Sequence, residues 1–213
     1  MNVIPVINCP DRASAVSTLE RLKGFLKPGE LVHLDVTDGL FSAHHTWNDP
    51  LGWASLASPF PLEVHLMMQN PEEHVDAWLA AGTRRLIVHV ETVTVPTVNQ
   101  IFELARPRGA DVMLSSNPET TSEDLEPFLR YFNFFQVLAV MPGAAGQKFL
   151  PFVADKVRFL REHVPSATIE VDGGMTPETV AIVKAAGADT VVSASYVLGS
   201  ADPKKAYDAL RAL

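Results

Sequence analysis

Leu31-Val32-His33-Leu34-Asp35-Val36, Leu62-Glu63-Val64-His65-Leu66-Met67 and Ala167-Thr168-Ile169-Glu170-Val171-Asp172 are three short, largely apolar runs with metal-type ligands near their ends. Each has the length and β-branched content of a strand. Residues two apart in a strand share a face, so His33 and Asp35 point the same way. His65 and Asp172 hold late positions in the other two runs. Two imidazoles and two carboxylates converging on one point suit a divalent transition metal. The same set keeps two carboxylates beside a substrate for proton transfer.

Working outward, further strand candidates lie near 3–8, 84–90, 110–115, 134–140 and 189–193. Amphipathic stretches with helix signals separate most of them. Asp11 is placed to cap a helix whose apolar face includes Val16, Leu19, Leu22 and Leu26. Asn70-Pro71-Glu72-Glu73 reads as a cap, a first-turn proline and an acidic first turn, and Thr176-Pro177-Glu178 repeats the pattern. Ala81-Gly82 and Ala186-Gly187 read as helix stops. Segment 37–61 reads as a long loop with a short helix around Leu51–Ala57. Strands alternating with helices imply a parallel sheet. Eight such units in 213 residues favour an α/β fold of the closed (β/α)₈ type over an open doubly wound sheet. No linker interrupts the pattern, so residues 1–213 read as one barrel domain. The active site of such a barrel lies at the C-terminal ends of the strands. There His33, Asp35, His65 and Asp172 fall.

Composition narrows the function. Apolar residues make up 47%, too many for a disordered chain. No apolar run approaches the roughly 20 residues needed to span a membrane. Met1-Asn2-Val3-Ile4-Pro5 has no basic region, so no signal peptide is expected. Cys9 is the only cysteine, which fits a reducing cytoplasm. A formal charge of −8 without a Lys/Arg cluster argues against nucleic acid or an anionic membrane as partner. Gly173-Gly174 precedes a helix, and Ser193-Ala194-Ser195 follows the last strand. Backbone N–H groups of such loops form the usual phosphate site of a barrel. The plainer reading of the glycines is an ordinary tight turn.

Five motifs occur in order at the strand ends. They are His33-Leu34-Asp35-Val36-Thr37-Asp38-Gly39, Val64-His65-Leu66-Met67, Asn117-Pro118-Glu119-Thr120, Pro142-Gly143-Ala144-Ala145-Gly146-Gln147-Lys148-Phe149 and Val171-Asp172-Gly173-Gly174. Together they resemble the ribulose-phosphate 3-epimerase family, from Pro5 to the final helix. The resemblance implies one divalent ion (zinc, iron, manganese or cobalt) held by His33, Asp35, His65 and Asp172. It implies that Asp35 and Asp172 are also the acid/base pair, working on opposite faces of an enediolate. The implied reaction interconverts D-ribulose 5-phosphate and D-xylulose 5-phosphate. Met67 would line the metal pocket, and Gly143, Ala144, Ala145 and Gly146 would form a mobile loop over the substrate. The phosphate would rest on Gly173, Gly174, Ala194 and Ser195. The partner is a small sugar phosphate, and such enzymes commonly form homo-oligomers.

Plainer readings stand beside these. Two unrelated ion pairs at the barrel mouth would also explain the quartet, but buried unpaired carboxylates are costly. His89-Val90-Glu91 reads as a pair ordering neighbouring loops, His44, His45, His74 and His163 as surface or loop residues, and Met68 and Met141 as packing. The chain also departs from the family. Val6 replaces a serine, Thr37 and Leu138 replace methionines, and Ser42-Ala43-His44 replaces Val-Pro-Asn. Ala144, Ala145 and Ala194 stand where Phe, Gly and Gly are usual. These changes keep two alternatives open: an epimerase of a ketohexose 6-phosphate or related ketose, and a sugar-phosphate-binding barrel with impaired turnover. A decarboxylase or aldolase of this barrel type would need a lysine within Asp35-Val36-Thr37-Asp38, which has none.

Overall fold

Eight short strands rich in β-branched residues run parallel and close into a barrel in the order β1 to β8. They are β1 (Asn2–Ile7), β2 (Val32–Thr37), β3 (Leu62–Met67), β4 (Thr83–His89), β5 (Asp111–Ser116), β6 (Phe134–Leu138), β7 (Thr168–Asp172) and β8 (Thr190–Ser193). This is a computed structural model, and it describes residues 1–143 and 145–213. The intervening helices are α1 (Arg12–Lys23), α2 (Pro50–Ala54), α3 (Glu72–Ala80), α4 (Val95–Ala105), α5 (Ser122–Leu125), α6 (Val153–His163), α7 (Pro177–Ala186), α8 (Ser195–Leu198) and α9 (Pro203–Arg211). Among the described residues no helix is long and apolar enough to cross a membrane. The (β/α)₈ expectation holds, with strand bounds shifted by one or two residues.

The strands are buried on both faces, which explains their near-continuous apolar reading. Outward-facing Leu34, Val64, Leu86, Phe135, Ile169 and Val191 pack under the helices in the main core. The bore is different. Its apolar side chains include Ile4, Val6 and Val192, and register carries Ile87 and Met113 inward beside His65. Register also aligns polar rows: His33 beside Glu63, Glu63 beside Arg85, Ser115 beside Gln136, and Gln136 beside Glu170.

Local chemistry sets the helix ends. Asp11 caps α1 by accepting from the Ser14 N–H at 2.8 Å. Ala15, Leu19 and Leu22 form its buried face, while Val16 is half-exposed. Thr176 and Thr179 form a capping box at α7, with Pro177 at its first position. Asn70 departs from expectation. Its φ is +48°, its side chain makes no cap, and its carbonyl instead accepts from the Glu73 N–H. Gly173 and Gly174 follow β7 with φ of +105° and +68°. A Cβ on Gly174 would stand 2.8 Å from the Phe149 backbone nitrogen. The Gly174→Ala variant should therefore unfold at lower denaturant, at a cost of about 1–3 kcal/mol. Urea titration measures this, and an unchanged midpoint would contradict it.

Candidate active site

His33, Asp35, His65 and Asp172 meet at the C-terminal mouth of the bore. The pairing of Asp35 with His65 across β2 and β3 puts both side chains inward at one level. Asp35 Oδ1 lies 3.1 Å from His33 Nε2 and 3.2 Å from His65 Nδ1. The two imidazole nitrogens are 3.4 Å apart. Asp172 Oδ2, arriving from β7, lies 3.7 Å from His65 Nδ1. All four donor atoms fall within 4.8 Å of one another. Donors bound to one ion at about 2.0–2.2 Å stand roughly 3 Å or a little more apart, so the quartet fits a divalent metal.

The charges agree with that fit. Burial, and then the neighbouring Asp35 carboxylate, raise Asp172 to about 7. Burial also acts on Asp35, but hydrogen bonds from His33 and His65 outweigh it and hold this carboxyl well below its usual range. Burial lowers His65 to about 3, so it is a neutral imidazole, the form that ligates. Among the described residues, no Lys or Arg pairs with Asp35 or Asp172. The mouth carries surplus negative charge that a divalent cation would neutralise.

A second ring of groups holds the first. His33 Nδ1 lies 2.7 Å from Glu63 Oε1, whose Oε2 accepts from Arg85 at 2.9 Å. Gln136 accepts from Ser115 and donates to Glu170 at 3.0 Å. Burial, and then Glu63, raise Glu170 to about 8. His65 Nε2 lies 2.8 Å from His89 Nε2, and His89 Nδ1 lies 2.9 Å from Glu91 Oε2. The pair read as ordering loops thus reaches the quartet itself. Glu63 and Glu170 sit two residues before His65 and Asp172, so strand parity alone could have found them.

The pocket above the quartet is lined by Val6, Asn8, Met67, Leu138, Asp35 and Asp172, among others. Gly143, Ala145, Gly146, Gly173, Gly174, Ala194 and Ser195 line it too. Ala144 lies outside the described residues. Met141, read as packing, is 44% exposed at the rim. Asn8 was not foreseen. Its amide donates to Asp35 Oδ2 at 2.8 Å and to the Gly143 carbonyl at 3.2 Å, tying the covering loop to the carboxylate. Ser193 also lines the pocket, and its Oγ is buried with no hydrogen-bond partner among the described residues.

Comparison with known proteins gives one family. The sequence model described as "Ribulose-phosphate 3 epimerase family" matches residues 12–198. The chain is 35% identical over 173 residues to the ribulose-phosphate 3-epimerase of Chlamydia muridarum, covering 78% of this chain and 75% of that one. It is 34% identical over 185 residues to the cytoplasmic isoform of the same enzyme from Oryza sativa subsp. japonica, covering 84% and 80%. The Aquifex aeolicus enzyme is 31% identical over 189 residues, covering 86% and 84%. Among solved structures, 3-hexulose-6-phosphate synthase from Salmonella typhimurium superposes with a TM-score of 0.74 at 15% identity, covering 99% and 96%. The 3-keto-L-gulonate-6-phosphate decarboxylase of Vibrio cholerae does so at 0.72 and 13%, covering 100% and 95%. These two likenesses establish the barrel only.

The charge balance makes a pH prediction. Asp172 and Glu170 bind protons more tightly folded than unfolded. The same holds for His33, where burial opposes the charge but hydrogen bonds from Asp35 and Glu63 win. Stability from raised groups is complete below their unfolded values and lost as pH rises through their folded values. Asp35 and Glu91 act in the opposite sense below about pH 4. His65, lowered from 6.5 to about 3, does so up to about 6.5, where it offsets only one of the two raised carboxyls. The Tm of chelator-treated protein should therefore fall between about pH 4 and about pH 8. A divalent ion competes with the same protons, so the Tm gain on adding it should grow with pH. Thermal scans with and without the ion measure both; a Tm that rises across this window after chelation would contradict the charge reading.

Proposed function

Because the chain belongs to the ribulose-phosphate 3-epimerase family, we propose that Asp35 and Asp172 interconvert D-ribulose 5-phosphate and D-xylulose 5-phosphate by moving the C3 proton. The enzyme is an isomerase of the epimerase class. One observation carries the residue assignment: two carboxylates from separate strands, β2 and β7, border one pocket with their nearest oxygens at the same imidazole nitrogen.

Removing hydrogen from a carbon beside a ketone leaves a planar intermediate. Inversion requires the proton to return on the other face, so two groups are needed. One aspartate takes the proton, and the other delivers one from the opposite side. Oδ1 of Asp35 is turned towards His33 and His65, while Oδ2 is held by Asn8 on the pocket side. A divalent ion held by His33, Asp35, His65 and Asp172 would supply electrostatic stabilisation of the negative charge that develops on the substrate oxygens. Val6, Met67, Leu138 and Val140 give the carboxylates an apolar surround that excludes water. Gly173, Gly174, Ala194 and Ser195 hold the phosphate by backbone N–H groups. Alanine at 194 keeps its N–H, so the departure from glycine leaves that role intact. The cytoplasmic naming of the rice relative and the single buried cysteine support a cytoplasmic setting.

The Asp35→Asn and Asp172→Asn variants keep side-chain shape and one ligating oxygen. Each should lose at least about 10²–10⁴-fold in turnover. Each should also stop C3 hydrogen exchange with deuterated water from one epimer while sparing the other. Metal content is measured first in both. Normal metal content with wild-type exchange from either epimer would sink the acid/base assignment. The phosphate assignment has its own check: an unphosphorylated ketopentose turned over as efficiently as its phosphate ester would contradict it. Parallel assays with ketohexose 6-phosphates establish the substrate, and a preference for one of them would replace the pentulose reading.

A further inference from the structure

We infer that Asn8 is a positioning residue for the proton transfer: its side-chain amide braces the pocket-facing oxygen of Asp35 against the backbone of the loop after β6. The inference rests on the assignment of Asp35 as a proton-transfer group. Asn8 stands one residue beyond β1 and two after Val6, so strand parity turns both towards the pocket they line. Val6 pairs with His33 and Ile7 with Leu34 across β1 and β2, which brings Asn8 level with Asp35. Ile4 and Val6, the inward side chains before it, are apolar, so Asn8 is the polar group that β1 brings to the mouth. Its backbone is held from both sides. The Cys9 carbonyl accepts from the Trp47 N–H at 2.8 Å, and Asp11 caps α1 three residues on.

Asn8 Nδ2 lies 2.8 Å from Asp35 Oδ2 and 3.2 Å from the Gly143 carbonyl oxygen. A backbone carbonyl only accepts, so the group facing it is the NH₂, and its two hydrogens serve two acceptors. One amide thus joins β2 to the loop after β6. Asp35 needs such a brace. Rotation about the last side-chain bond of an aspartate is broad and roughly two-fold, so the residue itself does not separate one oxygen from the other. Here the imidazoles of His33 and His65 engage Oδ1, and Asn8 is the one hydrogen-bond partner of Oδ2 among the described residues. Oδ2 is therefore the oxygen left to meet the C3 proton. Proton transfer is steep in position, and a displacement of about 1 Å costs about 10²-fold. The far end of the brace is packed in one place. Gly143 has a φ of +116°, and a Cβ on it would stand 2.4 Å from the His44 ring and 2.9 Å from Ser42 Oγ. Asn8 acts through Asp35, and the loop backbone acts through Asn8.

The test is the Asn8→Leu variant, which keeps the size and removes both donors, with Asn8→Ala beside it in case leucine does not fold. Metal content is measured first, and turnover is assayed at saturating metal. kcat should fall about 10²-fold with little change in KM. The C3 exchange that slows should be the one that Asp35→Asn abolishes, with exchange from the other epimer spared; general damage to the site would slow both. A second arm needs no activity. In chelated protein, trypsin cuts after the exposed Lys148 only when the loop opens locally, and mass spectrometry follows that cut. Losing the brace should speed it about 2–10-fold, the worth of one hydrogen bond. Asp35→Ala should speed the cut as well, and combining it with Asn8→Leu should add nothing further, because the coupling runs through Asn8. Three results overturn the inference: wild-type kcat in the Asn8 variants, equal slowing of exchange from both epimers, or a trypsin cut that Asn8→Leu leaves unchanged or speeds additively with Asp35→Ala. If Asp35→Asn spares exchange from both epimers, the acid/base assignment fails instead, and the trypsin cycle alone judges the brace.

Discussion

Four carboxylates are buried in the bore of a closed barrel, and most of the site follows from how their charge is met. Glu63 and Glu170 are fully buried, and Asp35 and Asp172 keep only 10% and 13% of their side chains exposed. Removing a charge from water costs several kcal/mol unless a partner and hydrogen bonds replace the solvent. The deeper pair meets Arg85, at 2.9 Å from Glu63 and 3.9 Å from Glu170. The upper pair meets only imidazoles. His33 spans the two levels, with Glu63 on one ring nitrogen and Asp35 near the other. The upper level is therefore short of positive charge, which a divalent ion held there would supply.

This arrangement also explains why the bore departs from the packing of branched apolar side chains usual in such barrels. A metal site needs its ligands oriented by outer hydrogen bonds, and here the strands supply them by register. His33 is oriented by one carboxylate on the neighbouring strand. His65 meets His89, and His89 in turn meets Glu91. Because ligands and supports sit on strands, the chemistry is rigid. The loops above pack closely: Gly143 meets Asn8, and a Cβ on it would stand 2.4 Å from the His44 ring. The chain's departures from its family cluster in that upper layer, at Val6, Leu138, Ser42, His44 and Ala145.

Much of this was legible in the sequence. Two-residue periodicity put His33 and Asp35 on one face, and the helix–strand alternation closed the barrel that brings in His65 and Asp172. The same periodicity marks Glu63 and Glu170 as inward. They escaped notice because a lone acid in an apolar run has no identifiable partner until Arg85 and Gln136 are brought beside it by register. Asn8 was invisible for a similar reason: its partners, Asp35 and Gly143, are 27 and 135 residues away. His89 and Glu91 looked like loop fasteners because the link from His89 to His65 depends on ring orientation across two strands. The failed cap at Asn70 is local instead: its backbone is left-handed, and Pro71 takes the capping position.

The central claim is that one divalent ion sits where β2, β3 and β7 converge. Anomalous X-ray diffraction from crystals of protein loaded with manganese or zinc, collected at the metal edge, tests it most directly. The account requires one strong peak per chain within bonding distance of His33, Asp35, His65 and Asp172. A peak instead among His33, Glu63 and Glu170, the deeper set also close enough to ligate, or no peak in the bore, would contradict it.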